Sequence, residues 1–333
     1  MIEKVDSILD VGIYSLCHTN NLDDGALLLY AGTKRGSIIS VPIQNGTRIA
    51  GSMIKTITTN SSFPIYSMTW KNGILACGGG DRYVTLYHNT TSTNLSELHR
   101  LGPHTGWVKD ACFHSNNNND CLLLLFSLGC NCIETWKYYN HKNDHGWSHE
   151  STIRMNSCPT NGTTLSSDLL CAFIYQKYLL VGGVDGRIHL LDTSTSNIIS
   201  SIPAHDGRVN QLLILSQKNM ICSIGHDGTF QCRRIIITTN NDDDDIMISQ
   251  TPDIQYEWKD ERLLTMAEII SSNDDNKVAI GTASGSVILF SPTTSSASLL
   301  STFDQTTIHS LCHIPSTNIL AIGHSNGLSV LYL

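Results

Sequence analysis

The sequence predicts an all-β fold in which one four-stranded unit is repeated seven times. A pattern of apolar strand, tight turn and second apolar strand recurs along all 333 residues, as in "VGGVDGRIHLLD" at residues 181–192. The seven copies are anchored at Gly32, Gly78, Ser127, Gly182, Ile224, Gly281 and Gly323. Successive anchors lie 42 to 57 residues apart, which matches propeller blades with loop insertions and excludes the shorter helical repeats.

A tight turn joins the two strands of each copy. Most copies have a glycine there, because the turn needs a positive φ: Gly36, Gly186, Gly228, Gly285 and Gly327. Asn131 is expected to take this role in the third copy, and Arg82 in the second copy at some cost in strain. The strand after the turn is apolar on both faces, which is typical of a sheet covered on both sides, as a blade is by its neighbours.

A further apolar strand precedes every copy, and a fourth strand follows six of them. The preceding strands include "IYSLCH" and "VKDACF", and the following strands include "LSELHRL" and "SLLSTF". No strand follows the seventh copy, whereas residues 2–10 precede the first inner strand and have no other role. We therefore predict one domain, residues 1–333, that forms a seven-bladed β-propeller of four-stranded antiparallel blades. Residues 2–10 are expected to close the ring as the outer strand of the last blade.

Composition restricts the partners that this chain can have. The net charge of −8 and the pI near 5.9 argue against a nucleic-acid backbone or an anionic membrane as the main partner. The N-terminal residues do not resemble a signal peptide, and no run of 18 apolar residues occurs, so we expect a cytoplasmic or nuclear protein. The eleven cysteines are odd in number and form no C-x-x-C motif, which predicts reduced structural thiols.

The four-strand units with their turns resemble the WD-repeat proteins over essentially the whole chain. In the third blade, "GPHTGWVKDACFH" is similar to the Gly-His loop of that family. His104 occupies the histidine position, Trp136 the tryptophan position, and Cys130 stands where the family has aspartate. No copy ends in Trp-Asp, so the resemblance indicates the fold without indicating a subfamily.

The fifth blade carries the other part of this resemblance. His205, Ser223 and Asp227 match three members of the structural hydrogen-bond tetrad of the family, and Arg233 replaces the tryptophan. The resemblance implies that these residues stabilise the blade. The equivalent Asp185 of the fourth blade has no matching histidine in the loop before that blade, so we expect it to contribute less.

Two motifs suggest chemistry that the sequence context disfavours. "GHSNG" at residues 323–327 matches the nucleophile elbow of lipase-like enzymes, which would make Ser325 a nucleophile. The acid and base of such enzymes follow the serine in the chain, and only six residues follow Gly327. The same turn recurs elsewhere without serine, so we interpret Ser325 as a turn residue.

The second motif is a possible metal site. His141, His145 and His149 are spaced four apart, as ligands on a helix would be, and Cys158 lies downstream. Asn143, Asp144 and Gly146 make a helix improbable, and we predict a solvated loop before the outer strand of blade three. The run "NNDDDD" at 240–245 is likewise predicted to be a solvated, mobile loop, and recruitment of a cation or of a basic partner is the alternative. We expect no metal or other cofactor.

Placing the loops on a propeller predicts two different rims. One rim is rich in acids and asparagine and includes Asp23, Asp24, Asp120, Asp192, Asp242 to Asp245, Asp274 and Asp275. The other carries the tight turns and the loops between blades, with a similar number of acids. Candidate partner-binding residues lie on this second rim: Lys34, Arg35, Arg82, Trp107, Lys109, Arg208 and Arg262. Arginine and tryptophan are enriched among the anchors of protein interfaces.

We interpret the chain as a non-catalytic adaptor or subunit that presents this second rim to a protein or peptide partner, and that is monomeric on its own. An enzyme or ligand-binding propeller with a site in the central channel is an alternative. It would need converging His, Asp, Glu or Tyr at the start of the inner strands, where the sequence reads as mostly small or apolar. A ubiquitin-ligase substrate receptor is a further alternative, disfavoured because no blade ends in W-D-x-R.

Overall fold

The structure, a computed structural model, describes residues 4–5, 11–19, 27–44, 48–49, 54–91, 94–115, 123–141, 144–154, 168–240, 243–270 and 276–333. These residues form seven antiparallel sheets, each with an inner, a second, a third and an outer strand. Every inner strand contacts the inner strand of the next blade, and the seventh, Ile308–Ile314, contacts the first, Ile13–His18. The predicted seven-bladed all-β propeller is thus confirmed.

The strands follow the same order in each blade. The inner strands are Ile13–His18, Ile65–Lys71, Val108–Ser115, Leu169–Tyr175, Val209–Leu215, Leu263–Ile269 and Ile308–Ile314. The second strands are Leu27–Thr33, Ile74–Gly79, Leu123–Gly129, Tyr178–Gly183, Met220–Gly225, Lys277–Thr282 and Ile319–His324. The third strands are Ile38–Gln44, Val84–Thr91, Cys132–His141, Arg187–Asp192, Thr229–Asn240, Ser286–Ser291 and Gly327–Tyr332.

The outer strands vary more than the others. In blades two to six they are Asn94–Leu101, Asp144–Arg154, Ile198–Pro203, Ile254–Glu257 and Ser296–Thr302. Blade one uses two short pieces, Arg48–Ile49 and Lys55–Ile57, which both pair with its third strand. In blade seven, Lys4–Val5 pairs with Val330 and Leu331, while residues 2–3 and 6–10 lie outside the described residues. Within the described ranges, no helix has the length and apolar character needed to cross a membrane.

Two blades carry hairpins where the sequence analysis expected loops, and both expectations were wrong. In blade three, the third and outer strands pair along their whole length, from Cys132 with Arg154 to His141 with Asp144. In blade five, the third strand continues to Asn240 and pairs with an additional strand, Asp243–Ile248. This second hairpin forms because Ile235, Ile246 and Ile248 are buried against blade four, which compensates for its polar tip.

The glycine anchors have a steric cause. A Cβ on Gly78 would lie 2.6 Å from Cγ1 of Val108, and one on Gly281 would lie 2.5 Å from Cγ2 of Ile308. Each of these partners is the first residue of the next inner strand, and the same holds for Gly32, Gly182 and Gly323. The repeat in the sequence therefore records the close approach of neighbouring blades.

The tight turns follow the predicted chemistry with one correction. Gly36, Gly186, Gly228 and Gly285 have φ between 72° and 96°, and Arg82 has φ of 69°. In blade three the positive φ belongs to Cys130, at 49°, and the prediction of Asn131 was wrong. The turn there has two residues only, because Gly129 pairs directly with Cys132, so the unusual conformation moves to the first turn residue.

A belt of hydrogen bonds links the blades around the central channel. The third residue of an inner strand bonds to the next blade in five cases: Ser15 to Ile65, Ser67 to Asp110, Asp110 to Ala172, Gln211 to Met266 and Thr265 to Leu311. Burial raises the pKa of Asp110 to about 6, although three hydrogen bonds favour its charged form. The belt holds the inner strands in register and thereby positions the channel mouth.

Candidate interaction surface

All seven predicted partner-binding residues lie on one rim. The second strand ends, and the inner strand begins, at the same edge of each sheet, as the pairing of Ile13 with Thr33 shows. Among the described residues, a recurrent backbone bond holds the turn against the loop before the blade in six blades, for example from the Lys34 amide to the Gly12 carbonyl at 2.9 Å. Arg208 and Arg262 accept the equivalent bonds in blades five and six.

The charged members of this set are available to a partner. Lys34, Arg35, Arg82, Arg208 and Arg262 are exposed. Within the described part of the chain, none of these five cations forms an ion pair with a carboxylate. Their guanidinium and ammonium groups therefore keep donors that an interface could use.

Trp107 and Lys109 form the centre of the surface. Trp107 is 53% exposed, although it is a large aromatic side chain. The Lys109 ammonium lies 4.3 Å from the centroid of the Tyr66 ring and 4.7 Å from that of Trp107. Burial lowers the pKa of Lys109, and Arg208 adds to that effect while Asp168 opposes it. Trp107 and Lys109, with Arg82, Cys130 and Asp168, line a rim cavity of about 360 Å³.

An arc of four aromatic rings continues from Trp107 around the channel mouth. Trp107 contacts Tyr66 with ring centroids 5.8 Å apart, Tyr66 contacts Tyr14 at 5.9 Å, and Tyr14 contacts His309 at 4.4 Å. Burial, with the nearby charges of His324 and Lys34, lowers the pKa of His309 to about 4. These rings come from blades three, two, one and seven, so only the closed ring of blades assembles them.

The sequence analysis missed this arc and misjudged the positions that form it. The second residues of the inner strands are Tyr14, Tyr66, Lys109, Leu170, Asn210, Leu264 and His309, of which five are polar or aromatic. With the third residues they line a channel cavity of about 200 Å³. The description of these positions as mostly small or apolar was wrong, because the second and third residues of each strand face the channel, whereas the apolar first and fourth residues pack into the core. Alignment of the seven inner strands at their first residue would have revealed the pattern.

The rim divides into two halves of different character. On the turns and inter-blade loops of blades one to three, Lys34, Arg35, Phe63, Arg82, Trp107 and Lys109 form what we call the aromatic–basic sector. The carboxylate found there among the described residues, Asp81, bonds Arg100 at 2.8 Å. Blades four to seven instead mix Arg208 and Arg262 with exposed carboxylates, namely Asp168, Asp206, Asp260 and Asp304.

The residues matched to the tetrad in blade five form a connected network. His205 Nε2 lies 2.9 Å from Ser223 Oγ, and its Nδ1 lies 3.1 Å from Asp227 Oδ1 and 2.7 Å from Thr229 Oγ1. Although burial alone would raise it, the bonds from His205 and Thr229 hold the pKa of Asp227 well below its usual range. Arg233 does not join this network; its guanidinium donates to the carbonyls of Pro203 and Ser249.

Blade three builds a different version of the same network. Ser127 Oγ lies 2.7 Å from His104 Nε2 and accepts a bond from Trp136 Nε1 at 3.0 Å. Because Cys130 stands at the aspartate position, no carboxylate from that position bonds the histidine. His104 Nδ1 lies 3.1 Å from the Arg82 carbonyl oxygen instead. Burial lowers the pKa of His104. The serine thus joins the histidine to the tryptophan, while Cys130 lines the rim cavity.

Blade four contains a histidine contact that the sequence analysis did not anticipate. His189 Nε2 lies 3.2 Å from Asp185 Oδ2, and both side chains are buried. The histidine that bonds Asp185 belongs to the third strand of the blade, whereas the family resemblance predicts it in the loop before the blade. Asp185 also accepts the Arg187 amide at 3.1 Å. An aspartate followed by histidine four residues later in a turn and strand was the available signal.

The alternative chemical sites remain incomplete. His309 Nε2 lies 3.1 Å from Ser325 Oγ, but the described residues supply no carboxylate to orient the His309 ring. His149 bonds Glu134 at 2.7 Å, and its strand position separates it from His145 by about 13 Å along the backbone. His141 belongs to the paired strand, and Cys158 lies outside the described residues. The described residues contain no cluster of three metal-binding side chains.

Comparisons with known proteins agree with the architecture. The chain is similar to the crystal structure of the Myceliophteria thermophila Cps50 (Swd1) β-propeller domain, with a TM-score of 0.71 and 14% identity over 100% of both chains. It is also similar to the computationally designed Ika8 protein, with a TM-score of 0.63 and 17% identity, covering 99% of this chain and 98% of that one. No protein-family model and no curated protein sequence matches the chain. At these identities the likeness concerns the β-propeller fold alone.

Proposed function

We propose that this chain is a non-catalytic propeller of the WD-repeat type that binds a protein or peptide on the rim formed by its turns. The observation that carries this proposal is Trp107, which is 53% exposed beside the unpaired Arg82 and the half-buried Lys109. Interface hot spots are enriched in tryptophan and arginine, and here an exposed tryptophan lies next to a cavity and an unpaired arginine. The chain then acts as an adaptor or subunit of a larger assembly.

Several features support a role without catalysis. The Ser325–His309 pair has no orienting carboxylate among the described residues, and the low pKa of His309 makes it a weak base at neutral pH. The Asp110 carboxylate accepts three hydrogen bonds, from Ser67, Ala111 and Ala172, so it acts as a structural link between blades. We place the protein in the cytoplasm or nucleus, as a monomer that requires no cofactor, and imaging of the tagged protein in its native cell checks that location.

The proposal is tested by affinity purification of the native partner. The triple variant Arg82→Ala, Trp107→Ala, Arg208→Ala is expected to lose the partner that the wild type retains. A variant with Asp242 to Asp245 replaced by serine alters the predicted acidic rim and is expected to keep it. Of that predicted rim, Asp23, Asp24, Asp120, Asp242, Asp274 and Asp275 lie outside the described residues. If the serine variant loses the partner and the triple variant keeps it, the acidic rim is the working face and the proposal is wrong.

A ligand site in the channel is the second candidate. The observation in its favour is the convergence of Tyr14, Tyr66, Lys109 and His309 on one cavity. A small ligand bound there would raise the melting temperature of the wild type but not that of Tyr66→Ala. A metabolite screen by thermal shift that finds no such ligand would leave the rim as the site of function.

A further inference from the structure

The charges of the aromatic–basic sector are unbalanced in a way that sets the chemistry of a partner. Lys34, Arg35 and Arg82 are exposed there, and Lys109 lies half-buried between two rings. The carboxylate of Asp81 is 11% exposed and bonded to Arg100, so it does not neutralise them. Blades one to three therefore present four cations without a free carboxylate on their own described turns and inter-blade loops, and the exposed Asp168, from the loop before blade four, adds one carboxylate to the cavity of Arg82 and Lys109.

The same sector carries the exposed aromatic side chains of the rim. Phe63 and Trp107 are each 53% exposed, and they belong to the loops before blades two and three. Phe63 lies between the turns of blades one and two. Its carbonyl oxygen packs against Gly36 and its side chain against Gly80, so closely that a Cβ on either glycine would touch Phe63. Apolar area is thus placed between the basic residues of blade one and those of blade two.

The cationic character extends to the channel mouth. Burial lowers the pKa of His309 to about 4, and the positive charges of His324 and Lys34 lower it further. His309 is therefore neutral at pH 7, and Lys34 carries the positive charge at that end of the arc. At the other end, Arg82 and Lys109 share a cavity of about 360 Å³ with Trp107 and with Asp168, so two cations face one carboxylate there. Both ends of the arc can accept an anion, and the rings between them can accept an apolar side chain.

We infer that the aromatic–basic sector binds an acidic peptide segment, with its anionic side chains on Arg82, Lys109 and Lys34 and an aromatic or leucine side chain against Trp107 or Phe63. Carboxylate and phosphate groups share the chemistry that such cations recognise, because both accept paired hydrogen bonds from a guanidinium. This inference rests on the proposed function and names the class of its partner. It also narrows the site, because it excludes Arg208 and Arg262.

Selection of a random peptide library on the immobilised full chain tests this inference. The enriched peptides are expected to contain several aspartates or glutamates around an aromatic residue or leucine. A synthetic copy of the dominant peptide is then measured by fluorescence anisotropy, with its acids intact, replaced by the corresponding amides, or replaced by phosphoserine. The amide form should lose binding, and a gain with phosphoserine would identify phosphate as the natural anion.

Matched variants localise the binding. The double variant Arg82→Ala, Trp107→Ala is expected to lower the affinity for the peptide by about tenfold or more. Arg208→Ala, which removes another exposed arginine, from the other half, is expected to change the affinity less than about threefold, because its charge reaches the site only through its weak effect on Lys109. Enrichment of neutral or basic peptides, or equal losses in the two variants, would overturn the inference. In that case loss of the native partner in the triple variant would still support the proposed function.

Discussion

Blades three and five present two versions of one loop. Blade three has "HTGWVKD" at residues 104–110, and blade five has "HDGRVNQ" at residues 205–211. Both histidines are buried and lie within hydrogen-bond distance of a serine on the second strand, at 2.7 and 2.9 Å. At the rim, however, Trp107 in one loop corresponds to Arg208 in the other, and Lys109 corresponds to Asn210.

The difference shows that a residue position used by the hydrogen-bond network in one blade can line the surface in another. In blade five, Asp227 completes the network and is tied to His205 and Thr229. In blade three, the Arg82 carbonyl takes that place, so Cys130 can line the rim cavity. The blade that departs from the network is thus the one that carries the exposed tryptophan. Under the proposed function, stability and recognition use the same loop, and we expect that each can be altered separately.

The largest expected effect concerns the serine of blade three. Ser127→Ala removes the partner of both His104 Nε2 and Trp136 Nε1, and we expect it to lower the free energy of unfolding by roughly 2–4 kcal/mol. Ser223→Ala in blade five leaves one ring nitrogen without its partner and should cost about half as much. Chemical denaturation of both variants measures the difference. Equal losses would mean that the tryptophan bond contributes nothing.

The next effect concerns the aspartates. Asp227→Ala should lower the free energy of unfolding by about 1–3 kcal/mol, because a buried histidine loses its acceptor. Asp185→Ala should lower the free energy of unfolding by a similar amount, because His189 bonds Asp185 although the loop before blade four has no matching histidine. Chemical denaturation compares the two. A neutral Asp185→Ala variant would show that the contact with His189 does not stabilise blade four.

Acid should affect the two networks at different pH. Burial lowers the pKa of His104, so blade three loses stability as pH falls below about 6.5, where the unfolded histidine binds a proton. The pKa of Asp227 is lowered despite its burial, so its contribution is complete at neutral pH and is lost only as pH falls below about 4. Denaturation in urea across this range is expected to show a smaller pH dependence near 6 for His104→Gln and below 4 for Asp227→Asn. Unchanged slopes in both variants would contradict this assignment.

The fold was predictable because its causes recur in every blade and so leave a repeat in the sequence. The glycine anchors, such as Gly78, repeat because a β-branched residue of the next blade occupies the space of their missing Cβ. The two hairpins were missed because their apolar residues, such as Ile235 and Ile246, alternate across a polar tip that reads as a loop. The aromatic arc was missed for a different reason. Tyr14, Tyr66 and His309 are far apart in the chain and meet only when the ring closes.

The most direct test replaces the two proposed recognition residues of the blade-three loop by the residues at the same positions in blade five. The variant Trp107→Arg with Lys109→Asn gives blade three the rim residues of blade five, while His104 and Ser127 stay in place. We expect its melting temperature to stay within a few degrees of the wild type and its affinity for the native partner to fall by about tenfold or more. Arg208→Ala is the matched control and should keep the partner. Retention of the partner by the exchanged loop, or its loss in the Arg208 control, would contradict the claim that blades one to three form the binding face.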